Sequence, residues 1–449
     1  MKKLWSEEGK KLNKFVDEYC FSAGIEWDNS LVIYDVIGSI AHGKMLEKIG
    51  IITKDEFKKI KKCLIEIIYL HKNNQFKISE GDEDVHTKIE NFITEKLGDL
   101  GKNIHTGRSR NDQVLVDLRI YSKEKIIDLA TTINQLIVVF VGFAKKYEFI
   151  PMPGYTHMQK AMPSSVGMWA GSFGEQLLDQ LKLLEVVYKL NDQSPLGSGA
   201  AYGVSLPIDR ELTAKLLGFS KVQNNSLYCQ ASRVTIQLSI IQLLVQIMLC
   251  ASRFAQDLLL FTTSEFDFFE VDESICTGSS IMPQKKNLDL MELVRAKTHA
   301  IIAHQQSMAS TTVSLPSGYN ADFGQTKGSF MESFNITLQT LEALNITLKS
   351  LKPNVKNLIN NCSPEIYATH YAYKLVKKNV PFREAYLKIK NNLNKITSPD
   401  PVLFLKLSNH SGGTNNLKLD LIRKETNEQK KYWENIKQKY KKVISLLLS

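Results

Sequence analysis

Apolar residues recur at helical spacing along most of this chain. Between residues 57 and 68 they lie three or four positions apart, directly after residues 53–56 (TKDE), which have the form of a capping box. Residues 363–365 (SPE) have the form of another helix start, with proline at the first helical position. The sequence contains no series of short alternating strands and no fixed-period repeat. The pattern therefore predicts an all-α protein.

Three long apolar patterns occupy the middle of the chain. They cover residues 114–146, 164–190 and 231–261, and glycines weaken only the first half of the second pattern. Each is roughly 30 residues long, well beyond the usual globular helix of about 11 to 12 residues. Because helices that are apolar on more than one side need several neighbours, we predict a central long-helix bundle that is shared between subunits.

Segments rich in glycine, serine and proline separate these predicted helices. They are residues 101–113, 151–163, 194–207, 277–287 and 315–328. We predict three domains from this division. They are an N-terminal helical domain over residues 1–110, the long-helix bundle over residues 111–360 and a small C-terminal helical domain over residues 361–449.

Composition narrows the class of protein. With 43% hydrophobic and 23% charged residues among 449, the chain has the make-up of a soluble globular protein. The net charge is +10, but lysines are spread along the chain and are dense only near the C-terminus. No basic stripe or known module indicates a nucleic-acid partner. Neither HExxH nor a Cys/His spacing suitable for zinc occurs, so we expect no metal.

The six cysteines and the apolar stretches bear on location in the cell. The cysteines are widely spaced and form no CxxC pair, which is typical of buried free thiols in a reducing compartment. The N-terminus (MKKLW) is not followed by the apolar core of a secretory signal. The longest strongly apolar stretch, residues 136–144, is too short to span a bilayer. We expect a cytoplasmic protein with no membrane partner.

Residues 278–287 (GSSIMPQKKN) are the most suggestive segment for chemistry. Small residues free the backbone N–H groups of a loop, and Ser279, Lys285 and Asn287 lie within it. Such a loop can surround an anion and bring a hydroxyl to a reacting carbon. On composition alone, an ordinary serine-rich surface loop is the alternative.

A second segment, residues 105–113 (HTGRSRNDQ), places Ser109, Arg110 and Asn111 beside a glycine turn before a long helix. Guanidinium groups suit carboxylates, although a helix-capping turn with ion pairs is the alternative. Residues 153–163 (PGYTHMQKAMP) place Thr156 beside His157 in a loop bounded by glycine and proline. A lone histidine is more often a packed or surface residue than a catalyst.

Together with residues 315–327 (LPSGYNADFGQTK), these segments resemble those of the fumarase/aspartase superfamily. The string at 105–113 resembles the argininosuccinate lyase branch in particular. Weaker likeness at residues 34–42, 81–86 and 381–386 extends the resemblance over nearly the whole chain. It implies an all-α homotetramer that needs no cofactor and whose active sites are each assembled from three subunits.

The resemblance implies β-elimination of argininosuccinate to arginine and fumarate, the last step of arginine biosynthesis. It assigns Ser279 as the catalytic hydroxyl and His157 as the other proton-transfer residue, and family accounts differ on which is base and which is acid. It assigns Glu292 as the acidic partner of His157, and Lys285 as the group that stabilises the serine oxyanion. The substrate-binding residues that it implies are Ser22, Ser109, Arg110, Asn111, Thr156, Asn287, Tyr319 and Lys327.

Two departures keep other readings open. Relatives often carry glutamine at the position of Met162, and the glutamine of their fourth segment falls at Gly324, with Gln325 as its neighbour. One alternative is a sister lyase acting on adenylosuccinate, aspartate or malate, and another is an inactive structural paralogue. Residues 197–203 (GSGAAYG) hint at a nucleotide loop, but their spacing is wrong and no strand precedes them. In the family this stretch is structural and lies near the active site.

Overall fold

A computed structural model describes residues 13, 15, 16, 19, 25–79, 82–397 and 400–449. The described chain is mostly helical, as predicted. The amino-terminal helices are α1 (Ile25–Asn29), α2 (Val32–Lys48), α3 (Lys54–Lys72), α4 (Val85–Leu97) and α5 (Asp99–Lys102). The capping box predicted before α3 is present, because the side chain of Thr53 accepts the backbone N–H of Glu56 and the Glu56 carboxylate accepts that of Thr53. The apolar face of α3 is buried, which confirms the predicted start of this helix.

Five long helices form the bundle, and they cover residues 110–146, 166–191, 226–261, 289–311 and 326–350. The elements from here to the end of the bundle are α6 (Arg110–Lys146), β1 (Pro151–Thr156), β2 (Gln159–Ser165), α7 (Val166–Asn191), β3 (Gln193–Ser194), α8 (Arg210–Leu216), β4 (Lys221–Val222), α9 (Ser226–Phe261), β5 (Phe269–Glu270), α10 (Asp289–Thr311), α11 (Thr326–Ser350) and β6 (Lys352–Pro353). The helices α6 and α9 begin a few residues earlier than predicted, because Ser109 and Asn225 cap them with their side chains.

The glycines of α7 allow close packing rather than breaking the helix. A Cβ atom at Gly167 would lie 2.5 Å from the Cα of Glu148 and 2.7 Å from the carbonyl oxygen of Ala144. A Cβ atom at Gly174 would meet the side chain of Phe140 at 3.5 Å. The absence of side chains at these positions therefore lets α7 lie directly against α6.

The bundle has two ends, which we call end A, where α6 begins at Arg110, and end B, where α6 finishes at Lys146. Because α7 returns antiparallel to α6, the Asn191 side chain at its C-terminus donates a 2.9 Å hydrogen bond to the Arg119 carbonyl. The start of α9 lies at end A as well, where the guanidinium of Arg119 donates to the hydroxyl of Ser232 at 3.1 Å. At end B, the start of α10 lies beside the last part of α9, and Arg295 donates to Gln256 at 2.6 Å.

In the described residues, three two-stranded pairings accompany the helices. The predicted loop at 151–163 is wrong for most of its length, because β1 and β2 form an antiparallel hairpin with His157 and Met158 in a two-residue turn. Both turn residues have positive φ, 52° and 61°. Prolines at both ends of the segment concealed these strands in the sequence. The pairs β3–β4 (parallel) and β5–β6 (antiparallel) are only two residues long.

Two bundle helices are apolar enough to cross a membrane by length and composition. They are α6 and α9, each with an apolar window of 18 residues, which is longer than the stretch at 136–144. In each, 61% of that window is buried inside the protein. Phe140 of α6 and Phe254 of α9 are fully buried and pack edge to face, with ring centroids 5.2 Å apart. This burial is typical of core helices.

The remaining helices are α12 (Val355–Asn360), α13 (Ala368–Val376), α14 (Phe382–Lys390), α15 (Pro401–Leu405) and α16 (Leu419–Leu448). The last of them returns to the bundle, where Trp433 packs edge to face on Tyr188 of α7. Tyr367 and Phe404 belong to a separate small cluster outside the main core. The three domain boundaries stay a prediction. Of the described cysteines, Cys276 is half-buried and the others are buried, and all are free thiols.

Candidate active site

The start of α6 at end A is a fixed turn. The hydroxyl of Ser109 accepts the backbone N–H of Asn111 at 3.3 Å, and the Ser109 N–H is bound by the carboxylate of Asp112. The guanidinium of Arg110 is paired with Glu83 and lies 3.3 Å from Asp84. Burial opposes the charge of Arg110, but these carboxylates outweigh it and raise its pKa. A substrate carboxylate would therefore share Arg110 with two acids of its own chain.

The segment that precedes α11 also lies at end A. The guanidinium of Arg233, on α9, stacks over the ring of Tyr319 at 5.4 Å from the centroid. The ammonium of Lys327 is paired with the buried carboxylate of Asp28 on α1. Tyr319 is 44% exposed, so its ring is accessible from solvent.

Position 324, where relatives carry glutamine and this chain carries glycine, lies beside open space. Gly324 lies in a short 3-10 helix (Ala321–Gln325), and a Cβ atom there would meet nothing within 4 Å. Gln325 is the last residue of this turn and is exposed. The space that a side chain at 324 would occupy is therefore open, and Gln325 stands beside it.

The predicted proton-transfer histidine lies at end B. His157 and Thr156 are exposed at the tip of the β1–β2 hairpin. Tyr155 anchors this hairpin against Phe266, with ring centroids 5.9 Å apart. Lys160 donates to Asn361 at 3.2 Å, which ties the second strand to the C-terminal part of the chain. The imidazole of His157 therefore projects from an anchored strand pair into solvent.

Residues 278–286 form a flap at end B. Its base is closed by two backbone hydrogen bonds between Thr277 and Asn287, at 2.9 and 2.8 Å. Within the flap, the hydroxyl oxygen of Ser279 accepts the backbone N–H groups of Ile281 at 3.3 Å and Met282 at 3.1 Å. Two N–H groups aimed at one oxygen are the arrangement that stabilises an oxyanion.

Charged residues surround this flap. Lys285 is exposed on it, and Glu292 is exposed in the first turn of α10, five residues after Asn287. The neighbouring Lys286 is paired with Glu273. Within the described part of one chain, no hydrogen bond or ion pair joins Glu292 to His157.

One chain thus divides the predicted site between the two ends of the bundle. End A carries Ser109, Arg110, Asn111, Tyr319 and Lys327, and end B carries Thr156, His157, Ser279, Lys285, Asn287 and Glu292. The helix α6 has 37 residues and so spans about 55 Å at 1.5 Å per residue. A single chain cannot bring both groups around one small substrate. Ser22 lies outside the described residues.

Comparison with known proteins identifies the family. A family model described as Lyase matches residues 13–303. The chain is similar to the argininosuccinate lyase of Thermotoga neapolitana, with 41% identity over 86% of this chain and 96% of the relative. It is 38% identical to that of Phocaeicola vulgatus, over 86% of each chain. The chain belongs to the argininosuccinate lyase family.

Solved structures confirm the fold expected for an argininosuccinate lyase family member. An EDDS lyase in complex with formate is similar, with a TM-score of 0.84, 21% identity, and coverage of 98% of this chain and 95% of that chain. A class II fumarase from Schistosoma mansoni gives a TM-score of 0.71 at 16% identity, and covers 83% of this chain and 90% of its own. These likenesses confirm the predicted all-α fold.

The motifs of the argininosuccinate lyase family do not by themselves reveal a buried charge cluster beneath residues 105–113. His86 shares a 2.5 Å hydrogen bond with Asp35, and Asp117 lies 3.8 Å from the same imidazole nitrogen. Arg108 donates to the hydroxyl of Ser39 at 2.8 Å, which places the cluster under the predicted binding segment. Asp35 and His86 lie in residues 34–42 and 81–86, two segments of weaker family resemblance, but nothing in the sequence shows that these two residues meet.

This cluster has three groups that can bind a metal, with ligand atoms within 4.8 Å of one another. However, the Nδ1 atom of His86 and the Oδ2 atom of Asp35 are hydrogen-bonded to each other. Burial raises the pKa of Asp117, and the charge of Asp35 raises it further. The geometry is therefore that of a proton-sharing network that supports the segment above it.

Proposed function

We propose that this protein splits argininosuccinate into arginine and fumarate by β-elimination. The observation that carries the proposal is the flap, where an argininosuccinate lyase family member presents a hydroxyl that accepts two backbone N–H groups. The substrate follows from the names of the relatives together with the residues at 105–113.

The reaction removes a proton from the carbon adjacent to the carbon that bears the leaving nitrogen. That proton becomes acidic enough only if the neighbouring carboxylate takes up the negative charge as an aci-carboxylate. The main catalytic requirement is therefore stabilisation of this charge by cations and N–H donors. A base near the carbon and an acid near the leaving nitrogen complete the site.

We assign Ser279 as the base. The N–H groups of Ile281 and Met282 stabilise its oxyanion, and the ammonium of Lys285 on the same flap adds a positive charge. His157 serves as the other proton-transfer residue, with Glu292 as its acidic partner. Asn111, Ser109, Arg110, Thr156 and Asn287 hold the succinyl carboxylates. Tyr319 and Lys327 hold the remaining polar groups.

We infer that the working site forms between subunits of a homotetramer. The length of α6 supports this, because the two halves of the predicted site lie at opposite ends of one chain. Exposed apolar side chains on the bundle helices also support it, since burial against another subunit would remove them from water. They include Val186, Leu190, Leu249, Ile302 and Ile346. Free thiols and buried core helices are in keeping with a cytoplasmic enzyme.

The test is turnover of argininosuccinate by the purified protein, followed as fumarate by ultraviolet absorbance. We expect Ser279→Ala to lower kcat by about 10³-fold or more, because it removes the base while leaving the binding groups in place. Wild-type protein that forms no fumarate above this variant would contradict the proposal. A panel of adenylosuccinate, aspartate and malate separates a sister lyase from an inactive scaffold.

A further inference from the structure

One buried carboxylate joins the predicted binding segment to a distant glycine-rich loop. Asp112 is fully buried at the third position of α6, and its Oδ1 accepts the backbone N–H of Ser109 at 2.9 Å. Its Oδ2 accepts the N–H groups of Gly197 and Gly199 at 2.9 and 3.0 Å. Three backbone donors from two separate segments therefore converge on a single side chain.

The glycine-rich loop, residues 197–203, is held from its other side as well. The guanidinium of Arg210 donates to the carbonyl of Leu196 at 2.9 Å and to that of Gln223 at 3.0 Å. Gly199 has φ of +60°, and a Cβ atom there would lie 3.0 Å from the carbonyl oxygen of Gly203. Hydrogen bonds therefore hold the loop at two places. Its N–H groups bind Asp112, and the carbonyl of Leu196, just before the loop, binds Arg210.

This loop also contacts the segment at end A that contains Tyr319. Tyr202 is 77% exposed at the loop tip. Its hydroxyl oxygen would lie 3.4 Å from a Cβ atom at Gly318, which immediately precedes Tyr319. The loop therefore lies between the start of α6 and the Tyr319 segment, and contacts both.

We propose that Asp112 is a positioning residue that sets Ser109 and Asn111 in register with the glycine-rich loop and, through it, with Tyr319. The inference rests on the proposed function of this site. A carboxylate is suited to the task because it only accepts hydrogen bonds, whereas an asparagine amide has one acceptor oxygen and would turn N–H groups towards backbone donors. Without these hydrogen bonds, the segment at 109–111 and the glycine-rich loop would have to become ordered when substrate binds. The free-energy cost of that ordering would weaken binding.

The test compares two substitutions of the same kind in the assembled full-length protein. Asp112→Asn is expected to raise KM for argininosuccinate at least about tenfold, with a smaller effect on kcat, because ground-state binding is weakened. Asp192→Asn is the matched control, since Asp192 is paired with Lys123 and accepts the N–H of Ser220 at 3.2 Å. We expect this control to lower the melting temperature and to leave KM within about threefold of wild type.

A KM for Asp112→Asn that stays within that threefold range would overturn the proposal, whatever its melting temperature. Wild-type protein without turnover would overturn the proposed function instead. If Asp112→Asn does not fold, hydrogen exchange of the wild-type protein decides. On addition of fumarate, the amides of residues 109–113 and 197–203 should gain protection together. Protection that is missing at 197–203 contradicts the proposal.

Discussion

The pair formed by His86 and Asp35 is the clearest electrostatic feature at the level of single residues. Burial by itself would lower the pKa of His86, but the charge of Asp35 and the hydrogen bond to it outweigh burial and raise the pKa to about 9. The same pairing lowers the pKa of Asp35 despite its burial. The fold therefore stabilises a buried imidazolium at neutral pH, directly under the predicted binding segment.

This pairing predicts how stability depends on pH. The pKa of His86 is higher in the folded protein than in the unfolded chain, so its contribution is fully present below about pH 6.5 and is lost as the pH rises through 9. The contribution is about 3 kcal/mol at 1.36 kcal/mol per pKa unit. We expect the free energy of unfolding to fall between pH 7 and 9.5, and to fall less in His86→Gln. Equal slopes in denaturant titrations of the two proteins would contradict this assignment.

Helix packing shows how glycine acts at the level of the element. Two helical glycines of the bundle have opposite surroundings. A Cβ atom at Gly167 on α7 would overlap the backbone of α6, whereas one at Gly142 on α6 would meet nothing within 4 Å. Close approach of α6 and α7 therefore depends on the first glycine and not on the second.

Matched alanine substitutions test this difference. Gly167→Ala should destabilise the protein by about 1–3 kcal/mol, because backbone atoms at 2.5 Å must move apart. Gly142→Ala should stabilise it by about 0.5–1 kcal/mol, since alanine restricts the unfolded chain and favours the helix. Thermal and denaturant unfolding of both variants measures the two effects. Similar changes of the same sign would show that the helices do not meet as described.

At the level of the whole molecule, the residues of the predicted site lie at opposite ends of the long helices. Asn111 lies where α6 begins, and Ser279 lies at the far end of the bundle. In the proposed homotetramer, each active site takes these two residues from different subunits. A substitution at end A and a substitution at end B should therefore remove different residues from each shared site.

Complementation between variants tests this arrangement. Asn111→Ala and Ser279→Ala should each be nearly inactive as homotetramers. When the two are dissociated, mixed equally and reassembled, about a quarter of the sites receive both intact residues from different chains, so about a quarter of wild-type activity should return. Mixtures in which each variant is reassembled separately serve as controls. No recovery in mixed tetramers of confirmed composition would show that both residues come from one chain.

The sequence by itself determined the helical class, the long bundle helices and the family, because helical periodicity and local motifs are properties of neighbouring residues. It also identified the residues of the flap and of the segment at 105–113 as candidates, and their catalytic and binding roles stay predictions. It did not reveal the β1–β2 hairpin, whose prolines obscure the strand pattern. It also did not reveal that Asp112 binds two glycines 85 and 87 residues away, or that His86 meets Asp35. Contacts between distant segments depend on how helices pack, and only the tertiary structure decided them.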